Sequence, residues 1–150
     1  MNTHEKRATY RNVGLGVAAG LCLAIAGQAV LANLSGPTEH KGLRVDMLEE
    51  LSPETMEATI GLSGYTMRMR AIRIAPGGQI ARHSHEDRPG IVSVIDGEWI
   101  EGRPEGERAF DAAQLGTFPE REDTVHWVYN RSGGPATALV CDIAKATPDA

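Results

Sequence analysis

From residue 65 onward, hydrophobic and polar residues alternate, and that rhythm predicts strands rather than helices. Tyr65-Thr66-Met67-Arg68-Met69-Arg70-Ala71 changes character at every step. This is the period of two of a half-buried strand, with Met67 and Met69 turned to the core. Ala75-Pro76-Gly77-Gly78 reads as a turn and Gln79 to His85 as a second strand. Ile91 to Ile95 is apolar and β-branched, a buried strand that lines the interior through either Ile91, Ser93 and Ile95 or Val92 and Val94. Asp96-Gly97 is a hairpin signal, with Glu98 to Glu101 as the returning strand. Gly102 to Glu107 reads as a polar loop, Leu115 to Glu120 and Val125 to Asn130 as strands, and Ala136 to Ile143 as a last strand after Ser132-Gly133-Gly134-Pro135. Short strands at this spacing, without long amphipathic helices or internal repeats, predict an all-β sandwich or barrel.

The first part of the chain follows other patterns. Lys6, Arg7 and Arg11 form a basic start, and no charged residue or His occurs from Asn12 to Thr38. The apolar stretch Val13 to Leu34 then reads as a leader helix. Two interpretations fit it. A secretory signal peptide has this layout, and Val30-Leu31-Ala32 offers a cleavage site before Asn33. An uncleaved membrane anchor also fits, since roughly 20 apolar residues cross a bilayer. Both place the domain outside the cytoplasm, in the periplasm or beyond. Ser35 to Gly42 reads as linker. Asp46 to Leu51 suggests a helical turn stopped by Pro53, or Ser52 caps a short helix that begins at Pro53. The expected organisation is therefore a leader over 1–32, a linker and N-terminal extension over 33–64, and a barrel over 65–145.

Composition narrows the function. A length of 150 residues suits one folded domain, and a net charge of −5 with scattered acids argues against a nucleic-acid partner. Cys22 lies in the leader, which leaves Cys141, between apolar neighbours, as a lone core thiol.

The candidate chemistry lies in the histidines. His83 and His85 are two apart on an expected strand, so both rings leave the same face and can grip one ion. His126 comes from a later strand. Three imidazoles with an open position form a donor set for catalytic Zn, Fe, Mn, Cu or Ni. Trp127 and Tyr129 alternate with His126 and face away, as packing or a dimer surface. Val128 and Asn130 share its face, and Asn130 could orient a ligand or tie down a turn. His40, in the linker, is expected to be solvated. Arg88 follows the histidine pair in a loop, where it could pair with an acid or meet an anionic ligand.

These residues carry a resemblance. The run G-GQIAR-HSH-EDRP-G-IVSVID-G, from Gly77 to Gly97, and the run H-WVY-N, from His126 to Asn130, resemble the two motifs of the cupin family in the right order. The likeness covers about residues 66 to 143. It implies a cupin-type double-stranded β-helix, a jelly-roll barrel, with a divalent metal on His83, His85 and His126. It also implies a homodimer and a small-molecule ligand. Cupins include dioxygenases, isomerases, lyases and decarboxylases, so the resemblance implies either an oxygenase-type or Lewis-acid metalloenzyme or a non-catalytic binding module. One departure stands out. The glutamate that supplies the family's fourth ligand falls on Gly90 here. Glu120, the first acid upstream of the His126 strand, is the candidate substitute if the turn between them keeps both on one face.

Overall fold

The computed structural model describes residues 35–114 and 116–147. The apolar run 13–34, expected as a leader, lies outside them. Among the described residues no helix is long and apolar enough to cross a membrane.

Among the described residues the elements run in the order β1 Lys41–Leu51, α1 Pro53–Ile60, β2 Tyr65–Ser84, β3 Gly90–Asp96, β4 Glu98–Arg103, β5 Gly106–Asp111, β6 Thr117–Glu120, β7 Val125–Tyr129 and β8 Ala136–Lys145. A single 3-10 turn, Ala112–Gln114, joins β5 to β6. The strands form one continuous antiparallel sheet, ordered β5-β4-β7-β2-β8-β3-β6, with β1 also paired to β2. The long β2 links its two halves. Ala75-Pro76-Gly77-Gly78, expected as a turn between two strands, lies within the single strand β2, with Gly77 at φ 67°; residues 65–74 pair with β8 and residues 79–84 with β7. The sheet thus rolls round a core that includes Ile72, Ile74, Val92, Trp99, Phe118 and Val140.

The alternation in β2 explains its two faces. Ile72 and Ile74 point in, opposite Ala138 and Ala136 of β8. In β3 the structure selects the second of the two expected parities. Val92 and Val94 are buried, and Ile91 and Ile95 face outward. Met67 is exposed too, on the outer face rather than in the core, because it shares parity with Met69, opposite Cys141. Cys141 is half-buried on that same outer face, not a core thiol.

Three other expectations about elements change. Residues 41–51, read as the end of a linker and a helical turn, form β1. Its Leu43 and Val45 face Ile74 and Ile72, while its bulge near Met47 breaks the alternation that would have marked it. Asp96-Gly97 makes no hairpin, since β3 pairs with β6 and β8 while β4 pairs with β5 and β7. A Cβ on Gly97 would stand 2.6 Å from the Pro135 carbonyl, so this glycine, at φ 67°, marks a tight corner where the chain leaves one set of strands for another. The polar stretch after Gly102 contains the true hairpin, β4–β5, turning at Pro104 and Glu105. The helix at Pro53 does form. Ser52 Oγ accepts from the Thr55 N–H at 3.3 Å and Gly61 closes it in a left-handed conformation.

Candidate metal centre

Cross-strand pairing builds the site. His83 lies directly opposite His126 in the β2–β7 ladder, so their rings stand on one face of the sheet. His85 follows the end of β2, and its N–H donates to the Thr124 carbonyl at 2.9 Å, which carries the ladder one step further. Glu120 ends β6. The turn after it is tied by Thr124, whose N–H donates to the Arg121 carbonyl and whose hydroxyl accepts from the Arg121 N–H, each at 2.9 Å. This turn keeps Glu120 on the same side as His126. The four side chains His83, His85, Glu120 and His126 come together with ligand atoms all within 4.8 Å of one another. His85, His126 and Glu120 are buried, and His83 is half-buried.

The lost acid has a neighbour in its place. Gly90 pairs with Glu120 across β3–β6, and a Cβ on Gly90 would come within 2.8 Å of Glu120 Oε2. The Glu120 carboxylate thus fills space that a side chain at position 90 would take.

Each imidazole is oriented through Nδ1. His83 Nδ1–H donates to the Ala81 carbonyl at 2.8 Å and His85 Nδ1–H to the Arg88 carbonyl at 3.0 Å. His126 Nδ1–H donates to Glu101 Oε1 at 2.8 Å. Burial works against ionising Glu101, but hydrogen bonds from His126 and Arg103 outweigh it and hold its carboxyl below the ordinary value. Glu101 is therefore an acceptor. With acceptors on all three Nδ1 atoms, each Nδ1 carries a hydrogen, and the neutral rings of His83 and His85 turn a bare Nε2 lone pair to the site. Yet His126 Nε2 lies 3.2 Å from both His83 Nε2 and His85 Nε2. The lone pairs of His83 and His85 converge on His126 Nε2, an arrangement that a cation shared by the three rings would satisfy. Nitrogens held about 2.0–2.1 Å from one tetrahedral ion stand about 3.3–3.4 Å apart, so the observed spacing fits a shared metal.

The electrostatics agree with that assignment. Burial lowers His83 and His85 to about 4, so both rings are neutral at pH 7. Burial raises the Glu120 carboxyl. Its Oε1 lies 3.5 Å from His126 Nε2 and its Oε2 3.3 Å from His85 Nδ1, and Oε2, though buried, accepts no hydrogen bond, which leaves the carboxylate able to take a cation.

A cavity of about 250 Å3 opens beside the four groups, walled by Ile72, Ile80, Val128 and Val140. His40 is exposed, as expected, and also lines this cavity, where its Nδ1 accepts from the Ala81 N–H at 3.0 Å. A wider groove of about 420 Å3 lies along β4, β5 and β6 and reaches Glu101. Trp127 is fully buried packing. Asn130 ties a turn, its Nδ2 donating to the carbonyls of Ile74, Ala75 and Gly134. Sequence reasoning missed Glu101 and the cluster around Asp142. Glu101 could have been found only from the pairing of β4 with β7, which the absent β3–β4 hairpin obscured.

No family model matches the sequence, and no curated protein matches it. Solved structures do. A cupin-superfamily protein from Silicibacter pomeroyi, described as a sugar phosphate isomerase, superposes with a TM-score of 0.52 at 24% identity, over 71% of this chain and 61% of its own. The Cupin_2 domain of an XRE-family transcriptional regulator from Enterobacter cloacae gives 0.52 at 21% identity, over 71% of this chain and 100% of the domain. A conserved double-stranded β-helix protein from Klebsiella pneumoniae gives 0.52 at 17% identity, over 69% and 72%. The chain therefore has the cupin fold, and it spans about three fifths of the Silicibacter protein's length.

Proposed function

We propose that this chain, with its cupin fold, is a metalloenzyme in which His83, His85 and His126, joined by Glu120, hold a divalent transition metal against a small organic substrate. The observation that carries the reading is the convergence of three imidazole Nε2 atoms, at 3.2 Å around His126, with the Glu120 carboxylate. Three imidazoles and one carboxylate suit Zn, Fe, Mn, Ni or Cu better than Mg or Ca, which favour all-oxygen cages.

When bound, the metal supplies Lewis-acid or redox chemistry. The chain's own residues do the rest. Glu101 anchors His126 from behind and fixes its tautomer, as carboxylates do behind metal-bound imidazoles. Ile72, Ile80, Val128 and Val140 keep bulk water from the substrate side. Glu120 serves either as a ligand through Oε1 or as the holder of a proton at Oε2, the atom left without a partner.

Elemental analysis of the full-length protein tests this. It should carry about one transition-metal ion per chain, and His83→Ala and His126→Ala should each lose it while keeping the β-rich circular dichroism spectrum. A purified chain that holds no metal and takes up neither added zinc nor ferrous iron would end the proposal.

A further inference from the structure

One cluster on the cavity wall is not used by the metal. Asp142 is fully buried on β8, and Arg68 engages it with a two-point fork, Nε to Oδ1 at 3.0 Å and Nη2 to Oδ2 at 3.1 Å. That fork already satisfies the carboxylate. Two more guanidiniums crowd the same acid. Arg70 Nη2 also donates to Oδ2, and Arg88 Nε stands 3.8 Å from it. Three cations thus share one anion, and Arg70 and Arg88 both line the cavity beside the histidines.

The surplus charge is not on open surface. The side chain of Arg70 is 12% exposed and that of Arg88 30%. Arg70 Nε is buried with no hydrogen-bond partner, which native proteins rarely leave so. The acids near the metal do not cancel the surplus. Glu101 is engaged by His126 and Arg103. Glu120 is the acid among the residues lining this cavity, and it stands with the three histidines. Beside Arg70 the lining is apolar, with Val140 directly across the ladder, Ile72 two residues along the strand and Val45 paired to Ile72.

We infer that the cavity selects small organic carboxylates, held by Arg70 and Arg88 while the remainder of the molecule faces the metal. This deepens the metalloenzyme reading and rests on it for the use of the cavity. A planar guanidinium matches a carboxylate in two parallel hydrogen bonds, and the apolar wall favours an organic anion over a bare inorganic one. A volume of about 250 Å3 lies below that of pockets for drug-sized ligands, about 300–1,000 Å3, so the ligand is small.

Calorimetric titration of the full-length, metal-containing protein with malonate, malonamide and inorganic phosphate tests the inference. Malonate should bind at least about tenfold more tightly than either of the other two, and Arg70→Gln and Arg88→Gln should each weaken it about tenfold or more at unchanged metal content. Arg88→Gln, in the loop after His85, gives the reading if Arg70→Gln fails to fold. Equal binding of malonate and malonamide overturns the inference. So does malonate binding untouched by Arg88→Gln, which would place the anion on the metal alone. Tighter binding of phosphate than of malonate also refutes the carboxylate assignment. A protein purified without metal would refute the metalloenzyme reading instead, and the comparison of malonate with malonamide would still be decisive.

Discussion

His83 and His85 leave β2 on the same side because side chains two apart on a strand share a face, and the barrel buries them together with His126. Burial has a titration consequence. In water an imidazole titrates near 6.5, whereas both of these rings are lowered to about 4 by desolvation. Between those values the unfolded chain binds protons that the folded chain refuses, so ν is larger in the unfolded state and stability rises with pH. Their contribution is complete above about 6.5 and is lost as pH falls toward 4. In the metal-free protein, NMR should follow the His83 and His85 ring resonances to midpoints near 4. Midpoints at 6.5 would mean solvated rings and no enclosed site. The triad was legible because its spacing is local and its residue types are rare in the chain. The three acceptors behind it were not, because two are backbone carbonyls, which any sequence supplies. The third, Glu101, is one acid among 20 Asp and Glu residues.

At the scale of elements, β4 and β7 show how closely the half of the sheet that carries His126 is fitted. Gly102 pairs with Trp127, whose side chain is fully buried on the side of β7 opposite His126. A Cβ at Gly102 would stand 2.0 Å from the indole Nε1, and one at Gly36 would stand 2.5 Å from the same ring. The indole therefore lies in a slot bounded by two glycines, and the backbone around it has no room to give. Gly102→Ala should cost roughly 1–3 kcal/mol through overpacking, read as a lowered denaturant midpoint. A midpoint equal to wild type would show that the slot relaxes freely. Elements with unbroken alternation, the first half of β2 and β7 among them, were readable as strands. Others were hidden by identifiable physics. β1 is an edge strand with a bulge and no fully buried residue, so it lacks the periodic signature. Asp96-Gly97 carries a hairpin sequence but serves a corner, because close contact with Pro135 and Ala136 sets its glycine. Tertiary packing decided both, and a window of a few residues does not contain it.

Across the whole domain, the candidate ligands come from elements far apart in the sheet order. β2 and β7 are neighbours in the middle, whereas β6 is the strand at one end of the sheet, two steps beyond β8. A shared ion on His83, His85, His126 and Glu120 would therefore fasten the end strand β6 across the barrel to β2 and β7, a closure that the ladder hydrogen bonds do not provide. Without a cation, three ring nitrogens stand in contact beside a buried carboxylate oxygen that accepts no hydrogen bond. Metal should thus stabilise the fold and not merely occupy it. Free metal at 1,000 times its Kd adds about 4 kcal/mol, which for a domain of this size corresponds to a rise in Tm of roughly 10 °C or more. Chelation followed by dialysis should lower Tm by that amount, and zinc or ferrous iron should restore it in the wild type but not in His126→Ala. A Tm unchanged through chelation and metal return would mean that the four side chains meet without holding anything. The strand β6 would then be secured by Phe118 in the core and by its pairing with β3 alone.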